Sequence, residues 1–430
     1  MILFVGIAIL PPLLAYIYFL SRSVLLGWIS ILAVLFCDYT FGLDTYNAAG
    51  LHLNVVDIVQ ICLLFAGIIR TIPRLRERNA GRMIAIGYFV IFAFSLVRGI
   101  MNHGFAHAAS GSRLFVGFLI ACAYFLTAPV DPSSVRRYVN IYLCYGLGLT
   151  VVAFLAYAGL DVGGIAWARH DPVIMAMMQG RLLPSSAALA LAFCFFFSLA
   201  DSQYRNSAIL FKWLPIVFLG LAVFLRARSV WVVLVGGIAS FLFVDRRLFR
   251  RMIPVAVLAL CFSAGYALLV LNNTQSAGAK FAESATSEQS WLFRLETWQG
   301  LLIDKEQTVS TVLLGKDLGG GYRVFYVLEG GFMDVAPHNE YVAQFLSLGL
   351  AGVALLLCFT IRPLRRFWKL SSTDLQAIEP SASAWVAVIL GIMVFSVPYQ
   401  PLVDAYALLG IANAMVFRLY REAKANELSQ

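Results

Sequence analysis

The chain has 430 residues, of which 61% are hydrophobic and 13% charged, with a mean hydropathy of +0.82. Soluble chains carry about 25% charged residues, so this composition excludes a soluble globular protein. The net charge of +9 is what basic loops on one face of a membrane produce, and it carries no nucleic-acid signal.

Apolar runs of roughly 17–25 residues, the length a helix needs to cross a bilayer, recur throughout. A transmembrane β-barrel would show shorter alternating segments, so the expected fold is an all-α polytopic membrane protein. Thirteen spans are expected, at about 2–20, 24–38, 53–70, 83–100, 112–128, 138–160, 182–200, 208–225, 229–244, 252–271, 341–361, 384–399 and 403–418. Proline breaks the helical ladder. Pro11-Pro12 therefore leaves the first span, and Pro398 with Pro401 the last pair of spans, open to including a half-helix or re-entrant piece, and the count is 12–13. The run Ile2–Leu20 lacks a basic leader and a small-residue cleavage site, so it reads as a retained span. The seven cysteines lie in or beside apolar runs without a CxxC pair, which suggests neither disulfides nor a zinc site.

Lysine and arginine in short loops mark the cytoplasmic side. Five arginines crowd Arg70–Arg82. Alternation from there places Arg136-Arg137, Arg205–Lys212, Asp245–Arg251, Arg362–Lys369 and the C-terminal tail on the same side. The chain then divides into spans over 1–271, a 69-residue external lid over 272–340, and C-terminal spans with a cytoplasmic tail over 341–430.

Against that topology, Arg98, Arg113, Arg169, Arg181, Arg226, Arg228, Arg294 and Arg323 stand on the outer side. A planar guanidinium binds phosphate through paired hydrogen bonds, so outer arginines point to an anionic ligand, naturally a phosphorylated lipid. Arg98, Arg113 and Arg323 also suit snorkelling toward headgroups. Arg226 and Arg228 occupy a tight turn, LRARSVW, that leaves them little freedom. The segment Glu288–Asp304 reads as an amphipathic helix with Trp291, Arg294, Leu295 and Trp298 on one face. Tryptophan favours the interface, so this helix is expected near the bilayer plane with Arg294 between two Trp rings. Gly319-Gly320-Gly321 lacks phosphate-loop spacing and reads as a flexible bend.

The lid ends in Pro337-His338-Asn339, directly before an apolar helix. Pro337 suits a first helical turn, and the partial positive charge of a helix N-terminus disfavours imidazolium. His338 is therefore expected to be neutral and able to accept a proton near pH 7, with Asn339 and Glu340 able to orient it. His103, His107 and His170 also lie on the outer side. No second His or Cys stands at ligand spacing from His338, so no metal site is expected there.

Three segments, PHNEYVAQFLSLGLAG (337–352), RLETW (294–298) and RARSVW (226–231), resemble the O-antigen ligase and O-antigen polymerase superfamily of bacterial membrane glycosyltransferases. The arrangement of many spans, one large late external loop and a His-Asn helix start is similar too. The likeness covers about 220–360; the first 200 residues match only as hydrophobic spans. The resemblance implies a GT-C-like architecture in the bacterial inner membrane, with its active site facing the periplasm. It implies metal-independent, cofactor-free, inverting transfer of a glycan from undecaprenyl diphosphate. The acceptor would be lipid A-core oligosaccharide in a ligase or another lipid-linked repeat unit in a polymerase. His338, Arg228 and Arg294 would be catalytic, and Arg226, Arg181, Asn339, Trp291 and Trp298 would contact substrate. The ligase is the leading expectation, and an O-antigen or exopolysaccharide polymerase is the alternative. A lipid-linked sugar transporter would show inverted repeats and mid-membrane charges. The sequence shows no such repeat, and its charges gather at helix ends.

Overall fold

A computed structural model describes residues 2–43, 46–48, 51–74, 80–163, 182–204, 209–225, 227–244, 289–303, 308–326, 331–334, 337–371 and 382–429. The expected span 252–271, Arg169, His170, Arg181 and Arg226 lie outside the described residues, as does the side chain of Trp291.

The protein is helical. Its helices are α1 (Ile2–Arg22), α2 (Val24–Phe41), α3 (Val55–Thr71), α4 (Ala80–His103), α5 (Phe105–Ala123), α6 (Pro132–Tyr157), α7 (Ser185–Tyr204), α8 (Ile209–Phe224) and α9 (Arg228–Val244). After the lid begins come α10 (Gln289–Leu302), the short α11 (Val309–Leu314), α12 (Glu340–Ser371), α13 (Ala382–Phe395) and α14 (Val403–Ser429). Two antiparallel hairpins, which an all-α reading lacks, interrupt the helices: β1 (Tyr46–Ala48) with β2 (Leu51–Leu53), and β3 (Arg323–Tyr326) with β4 (Gly331–Asp334). Pro11 and Pro12 lie inside α1, which continues through them. Pro398 and Pro401 fall in the turn between α13 and α14.

Among the described residues, six helical stretches are long and apolar enough to cross a membrane: Val24–Phe41, Val55–Arg74, Ala80–His103, Phe105–Thr127, Pro132–Tyr157 and Glu340–Lys369. Shorter apolar helices cover Ser185–Asp201, Trp213–Phe224, Arg228–Phe241 and Ala382–Phe395. The chain is thus a multi-pass membrane protein, and the full count of 12–13 spans goes beyond these described helices.

Two helices that are hydrophobic all round form the centres of the bundle, as full burial requires. Residues 187–197 of α7 are all buried, among α6, α8, α9 and α13. The second half of α5 is equally enclosed, by α3, α4 and α14. Aromatic side chains knit the elements together. Trp28 stacks on Tyr142, with centroids 5.6 Å apart, while its Nε1–H donates to the Tyr138 carbonyl at 3.0 Å. Outward residues such as Val90, Phe94, Met101, Phe154 and Val235 are exposed, the surface a bilayer covers.

One backbone break shapes the site. Helix α12 is interrupted at Gly349, whose φ of 67° and ψ of −169° are not helical. A break there frees the carbonyls of Leu346 and Ser347 from their intrahelical donors, and a buried orphan carbonyl is costly. Both find partners: the Lys316 N–H donates to Leu346 O at 2.6 Å, and Ser95 Oγ donates to Ser347 O at 2.9 Å. The segment after α11 is wedged into the kink. A Cβ on Gly349 would come within 2.3 Å of the Leu313 backbone, and one on Gly99 within 2.1 Å of Leu318 O. The Gly319–Gly321 stretch therefore ends a tightly docked wedge between α4, α5 and α12, and the flexible bend expected from sequence is corrected. Backbone approach this close needs glycine on both faces.

Candidate active site at the start of α12

Asn339 is the N-cap of α12. Its Oδ1 accepts the Val342 N–H at 3.0 Å, and its carbonyl accepts from Ala343 at 2.9 Å. Asn339 is buried, and its side-chain oxygen serves the helix start. Pro337 accordingly stands two residues before the cap, outside the first turn where the sequence had placed it.

His338 occupies the position before the cap and is the sole non-glycine residue with positive φ among the described residues, at 46°. A β-carbon tolerates this left-handed conformation poorly. Strain of this kind persists only where surrounding contacts over-determine it, and it gathers at functional sites. Those contacts are visible on both sides. Trp298 Nε1–H donates to Pro337 O at 2.6 Å, and the Glu340 N–H donates to Ser396 O at 2.9 Å. The turn is thus clamped between α10 and the end of α13, and His338 is left partly exposed.

Arg294 lies beside it. Its guanidinium NH1 donates to Pro398 O at 3.0 Å, and its Cζ sits 4.5 Å from the Tyr399 ring centroid. Tyr399 in turn stacks on Phe395 at 5.3 Å. Arg294 therefore rests on an aromatic shelf supplied by the α13–α14 turn. The buried face of α10 runs through Arg294, Thr297, Trp298 and Leu301; Leu295 is 41% exposed, so it leaves the expected face. Leu301 packs with Val342 and Leu346 of α12, and Trp298 and Tyr322 close that small cluster.

Partial burial and the Arg294 charge both lower the pKa of His338 below its ordinary 6.5. The direction matches the expectation, with burial the first cause and the Arg294 charge the second. A neutral imidazole with a guanidinium alongside has one group ready to take a proton and another ready to bind a developing anion.

Arg228 opens α9. Helix α9 packs on α13, with Val233 meeting Gly391. This pairing puts the start of α9 at the same end of the bundle as Ser396–Tyr399. Arg228 thus shares the end of the molecule that bears His338 and Arg294. The preceding turn is braced by Trp231, whose Nε1–H donates to Val223 O at 3.2 Å.

Two further arginines, Arg98 and Arg113, have structural partners. Arg98 donates to Gly315 O at 2.7 Å, and Arg113 faces Asp57 at 3.4 Å. His103 pairs with Asp317 at 3.0 Å, while Asn102 Nδ2 donates to the same carboxylate oxygen at 2.7 Å. Burial pushes the Asp317 carboxyl up, but Asn102, its own backbone, His103 and Arg98 outweigh this and its pKa falls. These residues hold the wedge.

Sequence reasoning missed a buried polar file on α12. Glu340, Gln344 and Ser347 lie at i, i+4 and i+7, all buried. Gln344 Nε2 donates to Glu340 Oε1 at 2.8 Å, and the Tyr88 hydroxyl donates to Gln344 Oε1 at 2.9 Å. Asp404, also buried, accepts from the Tyr142 hydroxyl at 3.1 Å. The spacing of the polar residues inside an apolar run was the signal that would have found the first file. Among the described residues, no three His, Cys, Asp or Glu side chains converge as metal ligands.

No protein-family model matches the chain, and a comparison with curated proteins finds no match.

Proposed function

We propose that this protein is an inverting, metal-independent glycosyltransferase of the O-antigen ligase type. It moves O-antigen polysaccharide from undecaprenyl diphosphate to lipid A-core oligosaccharide at the periplasmic face of the bacterial inner membrane. The observation that carries this reading is the strained His338, held neutral beside Arg294 at the boundary between an apolar helix and an external layer. The excess of basic residues at the opposite end of the bundle supports the orientation.

In the proposed reaction an acceptor hydroxyl oxygen attacks the anomeric carbon of the donor. As that C–O bond forms, the bond from the anomeric carbon to the diphosphate oxygen breaks, and its electron pair leaves with the diphosphate. His338 receives the hydroxyl proton. Arg294 and Arg228 stabilise the charge gathering on the departing diphosphate. Trp298 keeps the histidine turn in place through Pro337 O. The exposed Leu292, Phe293, Leu295 and Leu302 of α10 give the lid helix an apolar face toward lipid, from which a polyprenyl donor would arrive.

The test is transfer by the purified full chain, given undecaprenyl-diphosphate-linked glycan and lipid A-core. His338→Ala should lower the rate by ~10²–10⁴-fold. Unchanged transfer in that variant would remove the proposed base. A polymerase would instead extend the lipid-linked glycan when offered no lipid A-core, which separates the two reactions of this chemistry.

A further inference from the structure

The end of the bundle opposite His338 holds a second concentration of arginine that the proposed transfer does not use. Arg82 and His103 stand 21 positions apart on α4, on the order of 30 Å at the helical rise. A cavity of about 480 Å3 opens at the Arg82 end, lined by Arg74, Arg82, Thr127, Val130, Phe417 and Arg418 among others, and none of the described residues that line it is acidic. That volume lies in the range of small-ligand sites.

The cavity is a built structure. Thr127 sits at the centre of the guanidiniums: Arg70 Nε donates to its hydroxyl at 2.8 Å, and Arg70 NH2 and Arg74 NH1 donate to its carbonyl at 3.2 and 3.1 Å. Arg82 is buried, donates from NH1 to Arg74 O at 2.6 Å, and packs over the Phe417 ring at 5.8 Å. Arg418 reaches across from α14 to donate to Val130 O at 2.7 Å. Three guanidiniums, those of Arg74, Arg82 and Arg418, therefore line one opening, while Arg70 braces Thr127 and the Ser21 carbonyl. These contacts fix each fork in place, so the cost of ordering it for a ligand is already met. Beside the opening, Ile69, Ile72 and Met83 are 51%, 59% and 61% exposed, an apolar flank at the membrane boundary.

We infer that this cavity binds a phosphate ester, supplied by the head group of an anionic phospholipid whose acyl chains lie along Ile69, Ile72 and Met83. Guanidinium forks match phosphate oxygens in pairs, and several cations are needed to balance a charge held partly out of water. The apolar flank favours a lipid over a free ester. The ligand ties α3, α4, the 125–130 turn and α14 together at the end of the bundle opposite His338.

The experiment uses the full chain in nanodiscs of phosphatidylcholine alone, or of phosphatidylcholine mixed with phosphatidylglycerol, and reads retained lipid by native mass spectrometry together with the melting temperature. Wild type should retain phosphatidylglycerol and melt higher in the mixed discs. Arg74→Gln and Arg418→Gln should each weaken retention roughly fivefold, about the effect of one cation near an anionic surface. Arg74→Lys should restore part of it, and Arg365→Gln, an exposed arginine on α12 outside the cavity, should not change it. Glycerol phosphate added to phosphatidylcholine discs distinguishes the sources: stabilisation by it equal to that by the lipid assigns a free ester to the site. No preference for phosphatidylglycerol or glycerol phosphate over phosphatidylcholine alone would overturn the inference. So would equal losses in Arg74→Gln and Arg365→Gln, because diffuse surface charge would then account for the effect.

Discussion

The two ends of the bundle use arginine differently. At the His338 end, Arg98, Arg113 and Arg294 go to three separate partners: the wedge carbonyl of Gly315, the Asp57 carboxylate, and the Pro398 carbonyl with the Tyr399 ring. At the opposite end, Arg70 and Arg74 converge on Thr127, while Arg82 and Arg418 close the ring around one cavity. Arg98 and Arg113 fasten elements at this end, whereas Arg294 reaches a strained histidine. Converged arginines concentrate positive potential in one place. A count of outer-face arginines therefore overstates a site, because position relative to partners decides what each guanidinium does.

The comparison can be broken most severely at the histidine. If His338 is the base, His338→Ala loses ~10²–10⁴ in transfer rate while the melting temperature in detergent stays close to wild type, since the residue is partly exposed. Loss of fold with loss of rate would turn the histidine into a structural residue. Arg294→Gln should lower transfer about tenfold to a hundredfold, because it removes a positive group from the leaving diphosphate while much of the aromatic shelf remains. If Arg294 is only a fastener like Arg98, its variant should change melting and leave the rate of the remaining folded protein intact.

The same pair sets the pH dependence. Burial and Arg294 hold the His338 pKa below 6.5, so the neutral, proton-accepting form dominates at pH 7. Transfer should fall on acidification only below that value. In Arg294→Gln one lowering influence is gone, so the acid limb of kcat/KM should move up toward the ordinary histidine range. A limb that stays put would show that Arg294 does not act on the imidazole.

Smaller effects test the supports. Gly349→Ala forces a side chain into left-handed backbone and against Leu313, and should lower stability by at least ~2 kcal/mol in chemical denaturation. Asn339→Ala removes the cap of α12 and should cost about 1 kcal/mol, with transfer falling because the histidine turn loosens. Arg113→Gln breaks a partly exposed pair and should change stability by less than ~1 kcal/mol.

The sequence was most legible where composition and spacing act locally. Long apolar runs determined a multi-pass helical membrane protein, and the His-Asn pair before an apolar run marked the start of α12 to within one residue. Arg294 and Trp298 were assigned to one helix face by their spacing, and the structure keeps both on the face that packs toward the histidine turn. Backbone hydrogen bonding in a bilayer leaves helices as the economical way to cross, so such features are visible residue by residue.

What the tertiary structure decided rests on contacts between distant segments. It turned Asn339 into a cap, moved Leu295 off the buried face, and made the glycine stretch 319–321 part of a wedge fitted against Gly99 and the kink at Gly349. It set Tyr399, a hundred residues on in the chain, under Arg294, and it drew Arg74, Arg82 and Arg418 around a single cavity. Periodicity along a helix reports which residues share a face. Which partner meets that face depends on how helices separated by hundreds of residues pack, and close backbone approach and a strained φ arise only from that packing.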